Sequence, residues 1–322
     1  MPSFSPATVF FGTPEFAVES LKAIIEAGHT VAGVVTTPDK PAGRGRMLQV
    51  SPVKKYAEKQ NLKILQPLSL KDTLFLKELG DLKADLFVVV AFRMLPAEVW
   101  KMPALGTFNL HASLLPQYRG AAPINWAIIN GEKKTGITTF FINEEIDKGT
   151  VLFMEETPIT ENDTAGTLHD RLMIMGSKLT VKTIEAIFKR NCRPVSQSLL
   201  HQTGPLKTAP KIFREDCRID WNKPVKDIYN LVRGLDPAPG AWTILGKNKG
   251  EEGYNIKIFS CSPVISRHNN LPGSVVKEGN SLLSATCDGY LRIMSIQMEG
   301  KKKMETGDFL RGFKFGDSWK FL

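Results

Sequence analysis

The stretch Leu86-Phe-Val-Val-Val-Ala91 decides the fold of this 322-residue chain. Its unbroken apolar run indicates a strand that is covered on both faces, because a strand with one wet face alternates apolar and polar residues. Strands of this kind occur mainly in parallel sheets that carry helices on both sides. The flanking sequence should therefore supply further strands and the helices that connect them.

Strand and helix patterns alternate on both sides of this stretch. Further strands are predicted at 8–11, 30–36, 106–110, 136–142 and 151–155. Helices are predicted at 16–27, 51–60 and 164–190. The alternation predicts right-handed crossovers and an α/β fold with a Rossmann-like, doubly wound, mostly parallel sheet. Ligands of such sheets bind outside the carboxyl ends of the strands.

The C-terminal part of the chain has a different pattern. After a short helical segment at 225–233, short apolar runs are separated by Gly, Pro and Asn, which is typical of a small barrel. The segment before it lacks a clear period and contains two prolines, as linkers do. We therefore predict a first domain at 1–190, a linker at 191–207 and an OB-like β-barrel domain at 208–322.

Composition and cysteine usage narrow the class of protein. A hydrophobic fraction of 42% and a charged fraction of 23% are those of an ordinary globular chain. The four cysteines form no Cys-x-x-Cys pair and no His lies at zinc-ligand spacing, so we expect reduced cysteines and no metal. No apolar run reaches about 18 residues and no signal-peptide pattern is present, so we expect a cytoplasmic protein without a membrane partner. Nothing in the sequence demands more than a monomer.

Basic charge is concentrated towards the C-terminus. The net charge is +9, and the chain from Leu206 onward carries 19 Lys and Arg against 13 Asp and Glu. Such a surface suits a polyanion such as RNA, although charge alone fits a solvated face equally well. The run Lys301-Lys302-Lys303, together with Lys211, is the candidate strip.

A second basic segment is the long loop at 37–50. It is rich in Gly and Pro and carries Lys40, Arg44 and Arg46 without an acid after Asp39. Loops of more than about 12 residues without structure are usually functional. The cations of this loop are suited to phosphate contact.

Polar side chains with catalytic potential follow the strand at 106–110. Asn109 and His111 are two residues apart, so their side chains lie on the same face of a strand. Asp147 follows in an Asp-Lys-Gly turn, where an aspartate is also common for purely structural reasons. An amide and an imidazole can polarise a carbonyl oxygen that gains negative charge, and a carboxylate can hold the imidazole or accept a proton. This set suits acyl transfer.

Two other features, Gly12-Thr-Pro14 and Arg119, are candidates for ligand binding. Gly12-Thr-Pro14 follows a strand and precedes a helix, but the second and third glycines of a dinucleotide fingerprint are missing, so NAD is not expected. Arg119 could bind a carboxylate or a phosphate, or it could brace the loop. The sequence favours neither role for Arg119.

Together, these residues resemble the methionyl-tRNA formyltransferases, within the wider family of enzymes that use 10-formyltetrahydrofolate. The segment FGTPEF at 11–16 is similar to the opening turn of that family, and PAGRG at 41–45 to its RNA-contacting loop. RIDW at 218–221 and GKKKM at 300–304 are similar to its C-terminal module. Asn109, His111 and Asp147 fall at the positions of its catalytic trio.

The resemblance implies an activity and a set of binding residues. It implies formyl transfer from 10-formyltetrahydrofolate, as co-substrate, to the free amino group of initiator methionyl-tRNA, without a metal. Folate binding is implied for Phe92, Arg93, Ser113, Leu114, Leu115 and Pro116. Contact with tRNA is implied for Arg44, Arg46, Lys211, Lys301, Lys302 and Lys303. The competing interpretations are a formyltransferase acting on an amino sugar nucleotide, a formyltetrahydrofolate hydrolase-type module, and a non-catalytic RNA-binding protein.

Overall fold

The computed structural model describes residues 6–42, 47–200, 204–247, 253–313 and 319–322. Its strands are β1 (Ala7–Gly12), β2 (Thr30–Val35), β3 (Lys40–Ala42), β4 (Met47–Gln49), β5 (Ile64–Leu65), β6 (Leu86–Val90), β7 (Thr107–His111), β8 (Arg119–Gly120), β9 (Lys134–Phe141), β10 (Val151–Pro158), β11 (Thr208–Ala209), β12 (Ala241–Gly246), β13 (Tyr254–Ile265), β14 (Val275–Glu278), β15 (Ser281–Ala285), β16 (Gly289–Met298), β17 (Met304–Glu305) and β18 (Lys320–Phe321). Its helices are α1 (Glu15–Glu26), α2 (Pro52–Lys59), α3 (Thr73–Asp81), α4 (Ala97–Trp100), α5 (Pro123–Ile129), α6 (Ala165–Phe188), α7 (Val225–Leu235) and α8 (Thr306–Gly312). Two 3₁₀ turns lie at Gln197–Leu199 and Glu215–Cys217.

The chain forms two compact units, and the second is assembled from three segments. The first unit comprises Met1–Gly120, Lys134–Pro158 and His169–Thr208. The second comprises Ala121–Lys133, Ile159–Leu168 and Ala209–Leu322. The sequence-based boundaries had assigned 121–133 and 159–168 to the first domain. The segment predicted as a linker, 191–207, lies within the first unit.

The first unit is built on a seven-stranded sheet of order β10-β9-β7-β6-β1-β2-β5. The five strands from β7 to β5 run parallel to one another. At one edge β9 pairs antiparallel with β7, and β10 pairs antiparallel with β9. Every residue of β6 is buried, as its apolar run predicted. This sheet confirms the predicted α/β class.

The register of β6 and β7 shows which edge of this sheet is expected to bind ligands. Val90 at the end of β6 is aligned with Leu110, one residue before the end of β7. The carboxyl ends of both strands therefore meet at one edge, where parallel sheets place their ligands. The segments that follow these strands carry the predicted folate-contacting residues.

The second unit is an antiparallel sheet of order β14-β15-β16-β13-β12-β18, with β17 paired to β16. Its two edge strands approach each other: Ser274 bridges to Lys320, and Phe321 N donates to Gly273 O at 2.9 Å. The sheet is therefore a nearly closed barrel, which confirms the predicted C-terminal architecture. Apolar residues of α7, among them Ile228 and Val232, share its buried core.

Arg233 ties the segment at 159–168 to this second unit. Arg233 lies in α7 and is only 8% exposed. Its guanidinium donates to Asn230 Oδ1 at 2.9 Å, to Thr160 O at 3.1 Å and to Asp163 O at 2.9 Å. Desolvation by burial lowers the pKa of Arg233 from its usual value. A long-range contact of this kind leaves no periodic signal in the sequence.

The helices and the potential metal ligands of the described residues bear on the expected membrane and metal partners. Within the described ranges, none of the helices combines the length and apolar character needed to cross a membrane. In the same part of the chain, no group of three or more His, Cys, Asp or Glu side chains is arranged to hold a metal ion. All four cysteines are free thiols.

Candidate active site

Asn109 and His111 project from the same face of β7. The backbone of Asn109 is aligned with Val89 on one side and Phe140 on the other, and His111 is aligned with Thr138. The strand therefore lies inside the sheet, and its backbone is fixed by neighbours on both sides. Asn109 is half-buried, and His111 is 6% exposed.

The orientation of His111 is set by a backbone carbonyl. Nε2 of His111 lies 2.9 Å from the carbonyl oxygen of Tyr118. Because a carbonyl oxygen can only accept a hydrogen bond, this contact places a hydrogen on Nε2. The neutral imidazole then presents the lone pair of Nδ1.

Asp147 lies on the Nδ1 side of this imidazole. Its Oδ2 is 3.8 Å from His111 Nδ1, which is an ion-pair distance when the ring is protonated but too long for a hydrogen bond. The same oxygen accepts a hydrogen bond of 2.9 Å from Gly120 N. The imidazole is thus oriented by Tyr118, and the carboxylate is held separately.

The loop between β9 and β10 has an unusual backbone at Asp147. Asp147 has a φ of +54°, in the left-handed region that aspartate tolerates better than most residues. Two residues later the chain passes close to β9, where a Cβ on Gly149 would lie 1.6 Å from Phe141 O. Only glycine fits there, so the loop has a defined path.

Gln197 braces this loop and was missed by sequence reasoning. It is 4% exposed, and its amide nitrogen donates to Asp147 O at 2.8 Å and to Gly149 O at 2.9 Å. Its Oε1 accepts from Arg119, at 3.0 Å from Nε and 2.6 Å from Nη2. Arg119 is therefore hydrogen-bonded to the side chain that holds the loop, as the bracing role predicts. No sequence pattern points to Gln197, because it lies in an aperiodic segment 50 residues from Asp147.

The amide of Asn109 is the uncommitted polar group of the site. It makes no hydrogen bond to any residue that the structure describes, although the side chain is half-buried at the carboxyl edge of the sheet. Buried or half-buried polar groups normally have partners within the protein. An uncommitted amide two residues from an imidazole on the same face of a strand can donate to an oxygen that gains negative charge during a reaction.

The chain matches two family models, one described as formyl transferase over residues 7–184 and one as formyl transferase, C-terminal domain, over residues 211–314. It belongs to the formyltransferase family. This formyltransferase is 52% identical over 313 residues to the methionyl-tRNA formyltransferase of Bacteroides thetaiotaomicron, a match that covers 97% of each chain. The family predicted from the sequence is thereby confirmed.

Solved structures share the fold of this formyltransferase at low identity. An N-formyltransferase from Helicobacter canadensis, in complex with folinic acid and dTDP-3-aminofucose, aligns with a TM-score of 0.64 and 21% identity, over 89% of this chain and 97% of that chain. HypX from Aquifex aeolicus, in complex with tetrahydrofolic acid, aligns with a TM-score of 0.61 and 20% identity, over 94% of this chain and 46% of that chain. At this identity the likeness concerns the fold alone.

The turn predicted to contact folate is largely turned inward. Ser113 is fully buried and donates from Oγ to Gln117 O at 2.6 Å. Leu115 and Pro116 are also buried, and Leu114 is half-buried. The turn therefore shapes the edge beside His111, and Leu114 is its most accessible predicted side chain.

The two predicted folate residues after β6 make different contacts. Phe92 packs edge-to-face on Phe11, with 5.7 Å between ring centroids. Arg93 donates to Pro67 O at 2.6 Å and to Leu68 O at 3.0 Å. Both side chains stabilise the segment that follows β6, while their folate contacts stay predictions.

The basic loop at 37–50 is anchored at its start. Asp39 pairs with Lys54 at 2.5 Å and accepts a hydrogen bond of 2.9 Å from Gln66. The hydrogen bond from Lys54 lowers the pKa of the Asp39 carboxyl. Lys54, which lies outside the loop, therefore matches the charge of Asp39. Arg44 and Arg46, two predicted tRNA contacts, lie outside the described residues.

Two of the remaining predicted tRNA contacts, Lys211 and Lys301, adjoin a groove in the second unit. The groove has a volume of about 510 Å³ and is lined by residues of 212–214 and 297–300, together with Trp242 and Lys257. Lys211 and Lys301 are the chain neighbours of these lining segments, and Lys211 and Lys301–Lys303 are exposed. Arg214 and Arg218 lie over the ring of Trp242, at 5.1 and 5.5 Å from its centroid. Exposed cations next to aromatic rings suit a nucleic-acid partner.

Proposed function

We propose that this formyltransferase transfers the formyl group of 10-formyltetrahydrofolate to the amino group of methionyl initiator tRNA, giving N-formylmethionyl-tRNA for translation initiation. The observation that carries the proposal is the 52% identity to a methionyl-tRNA formyltransferase over 97% of both chains. That match includes the basic barrel as well as the catalytic unit. The likeness to a sugar-modifying enzyme, at 21% identity, concerns the fold and supports no sugar acceptor.

Asn109 stabilises the oxygen of the formyl group in the proposed reaction. Attack of the methionine amine on the formyl carbon places negative charge on that oxygen. The uncommitted amide of Asn109 donates a hydrogen bond to it. Such donors are effective because they are already oriented when the charge develops.

His111 and Asp147 handle the protons. Only the neutral amine is nucleophilic, and it loses a proton as the new C–N bond forms, while N10 of the folate leaves with its electron pair and gains a proton. Asp147 accepts the proton of the amine, directly or through water. Nδ1 of His111 lies 3.8 Å from Oδ2 of Asp147, so a proton on Nδ1 faces this carboxylate.

The substrates are assigned to segments at the carboxyl edge and to the basic surfaces. The pterin lies near 90–95 and the turn at 113–116, which flank the end of β7 at the same edge. The tRNA is contacted by the loop at 37–50 and by the cations around the groove of the second unit. We assign the enzyme to the cytoplasm as a monomer, with no metal in the reaction.

The test is a formyl-transfer assay with parallel acceptors. The purified chain is incubated with 10-formyltetrahydrofolate and methionyl initiator tRNA, uncharged tRNA, glycinamide ribonucleotide or an amino sugar nucleotide. Formylation of the methionyl-tRNA alone is expected. Faster formylation of the sugar nucleotide, or formate release without any acceptor, would support one of the competing activities instead.

The loop at 37–50 is tested separately. Arg44→Ala is expected to raise KM for tRNA and to leave KM for folate nearly unchanged, because its cation would meet phosphate. An equal loss with a small formyl acceptor would count against RNA contact by this loop.

A further inference from the structure

The backbone around Gln197 is held in place independently of the loop that carries Asp147. Val195 and Val151 exchange two backbone hydrogen bonds, each of 2.8 Å. Leu200 packs against the buried cluster of Leu115, Phe140 and Val151. The 3₁₀ turn at Gln197–Leu199 is therefore fixed on the first unit before any contact of the glutamine side chain is considered.

All four hydrogen bonds of the Gln197 side chain help to hold the loop that carries Asp147. Both amide hydrogens go to carbonyls of the loop, those of Asp147 and Gly149. The amide oxygen holds Arg119, whose neighbour Gly120 donates to the carboxylate of Asp147. Gln197 therefore holds the main chain of the loop. Gly120, which follows Arg119 in the chain, holds the side chain of Asp147.

We propose that Gln197 is a positioning residue for formyl transfer. It fixes the main chain on both sides of Lys148, so that Asp147 keeps its left-handed backbone and its Oδ2 stays beside His111 Nδ1. Backbone conformations of this kind persist when the surroundings hold them in place. The inference rests on the proposed role of Asp147, since among the described residues the side chain of Gln197 is hydrogen-bonded to Arg119 and to the loop, and not to His111 or Asn109.

Two near-isosteric variants separate the donors from the rest of the side chain. Gln197→Met removes every hydrogen bond, and Gln197→Glu keeps a partner for Arg119 but faces two carbonyls with a carboxylate. Both variants are expected to lower kcat about 10- to 100-fold, because a small misplacement of a reacting group is costly. KM for folate and for tRNA should change less than about threefold, because Gln197 is 4% exposed and its four side-chain hydrogen bonds all go to the protein.

A double-mutant cycle distinguishes positioning from a general structural role. In an Asp147→Asn background, Gln197→Met should lower the residual kcat by no more than about twofold, because residues that act as one unit are not additive. A loss in that background as large as in the wild type would overturn the proposal. So would a kcat within about threefold of wild type in both single variants. If Gln197→Met fails to fold, the same cycle is run with Gln197→Glu.

The matched control is another buried amide that holds an arginine. Asn230 is 5% exposed and accepts a hydrogen bond from Arg233 Nε in the second unit. Asn230→Leu should lower the thermal midpoint about as much as Gln197→Met while leaving kcat within about twofold. Failure of the proposed function is seen separately, because the wild-type chain would then give no formylmethionyl-tRNA.

Discussion

The carboxyl edge of the first sheet and the basic groove of the second unit hold their polar groups in opposite ways. At the edge, His111 and Asp147 are largely buried, and each is fixed by a backbone partner. In the second unit, Lys211 and Lys301–Lys303 are exposed, and Nζ of Lys303 lies 4.6 Å from the centroid of the Phe259 ring. Chemistry requires groups in fixed orientations, whereas a polyanion is bound by many charges that each contribute a little. Single substitutions should therefore have large effects at the edge and small ones at the groove.

The largest effect is expected at Asp147. Asp147→Asn keeps the shape of the side chain but removes the base that accepts the proton, so kcat should fall about 100- to 10,000-fold. Folate affinity, measured by equilibrium titration, should stay within about twofold. The control is Glu145→Gln, an exposed carboxylate of the same loop that pairs with Lys148. Unchanged turnover in Asp147→Asn would end the proposed role.

Asn109 should give the next largest effect. Asn109→Leu removes the donor to the formyl oxygen, and loss of one such donor typically lowers kcat about 100- to 1000-fold. Because Asn109 makes no hydrogen bond to the described residues, the thermal midpoint should hardly change. A raised KM with normal kcat, measured in steady-state formylation, would show that Asn109 binds a ground state instead.

Arg233 tests whether a buried cation outside the catalytic edge affects stability more than chemistry. Arg233→Met leaves the carbonyls of Thr160 and Asp163 without their donor, so the free energy of unfolding should fall by about 2–4 kcal/mol. Chemical denaturation measures this loss. Activity of the folded fraction should stay near that of wild type. A selective loss of kcat would show that Arg233 also affects the chemistry at the carboxyl edge.

The smallest effect per residue is expected at the lysine run. Changing Lys301, Lys302 and Lys303 together to Ala should raise KM for tRNA about 10-fold at low salt and weaken the salt dependence of binding. Each single change should cost about two- to threefold, and kcat should stay within about twofold. If one lysine accounted for the whole change in KM, it would make a specific contact with the tRNA, and the effect would not be the sum of three charges.

Local sequence patterns gave much of the architecture. The apolar run of β6, the alternation of strands with helices and the two-residue spacing of Asn109 and His111 are all local, and the structure has the corresponding elements. The short apolar runs after α7 predicted the barrel. The placement of Asp147 beside His111 needed the resemblance as well as the pattern, and its catalytic role stays a prediction.

The sequence by itself determined the fold class, the family and the strand that carries Asn109 and His111, because side-chain periodicity and short motifs are local properties. Only the tertiary structure decided that 121–133 and 159–168 belong to the second unit, that Tyr118 orients His111, and that Arg119 braces a loop. The same holds for Gln197, which joins Arg119 across 78 residues and Asp147 across 50. Contacts at such separations depend on how the chain packs, and no spacing of residues encodes them.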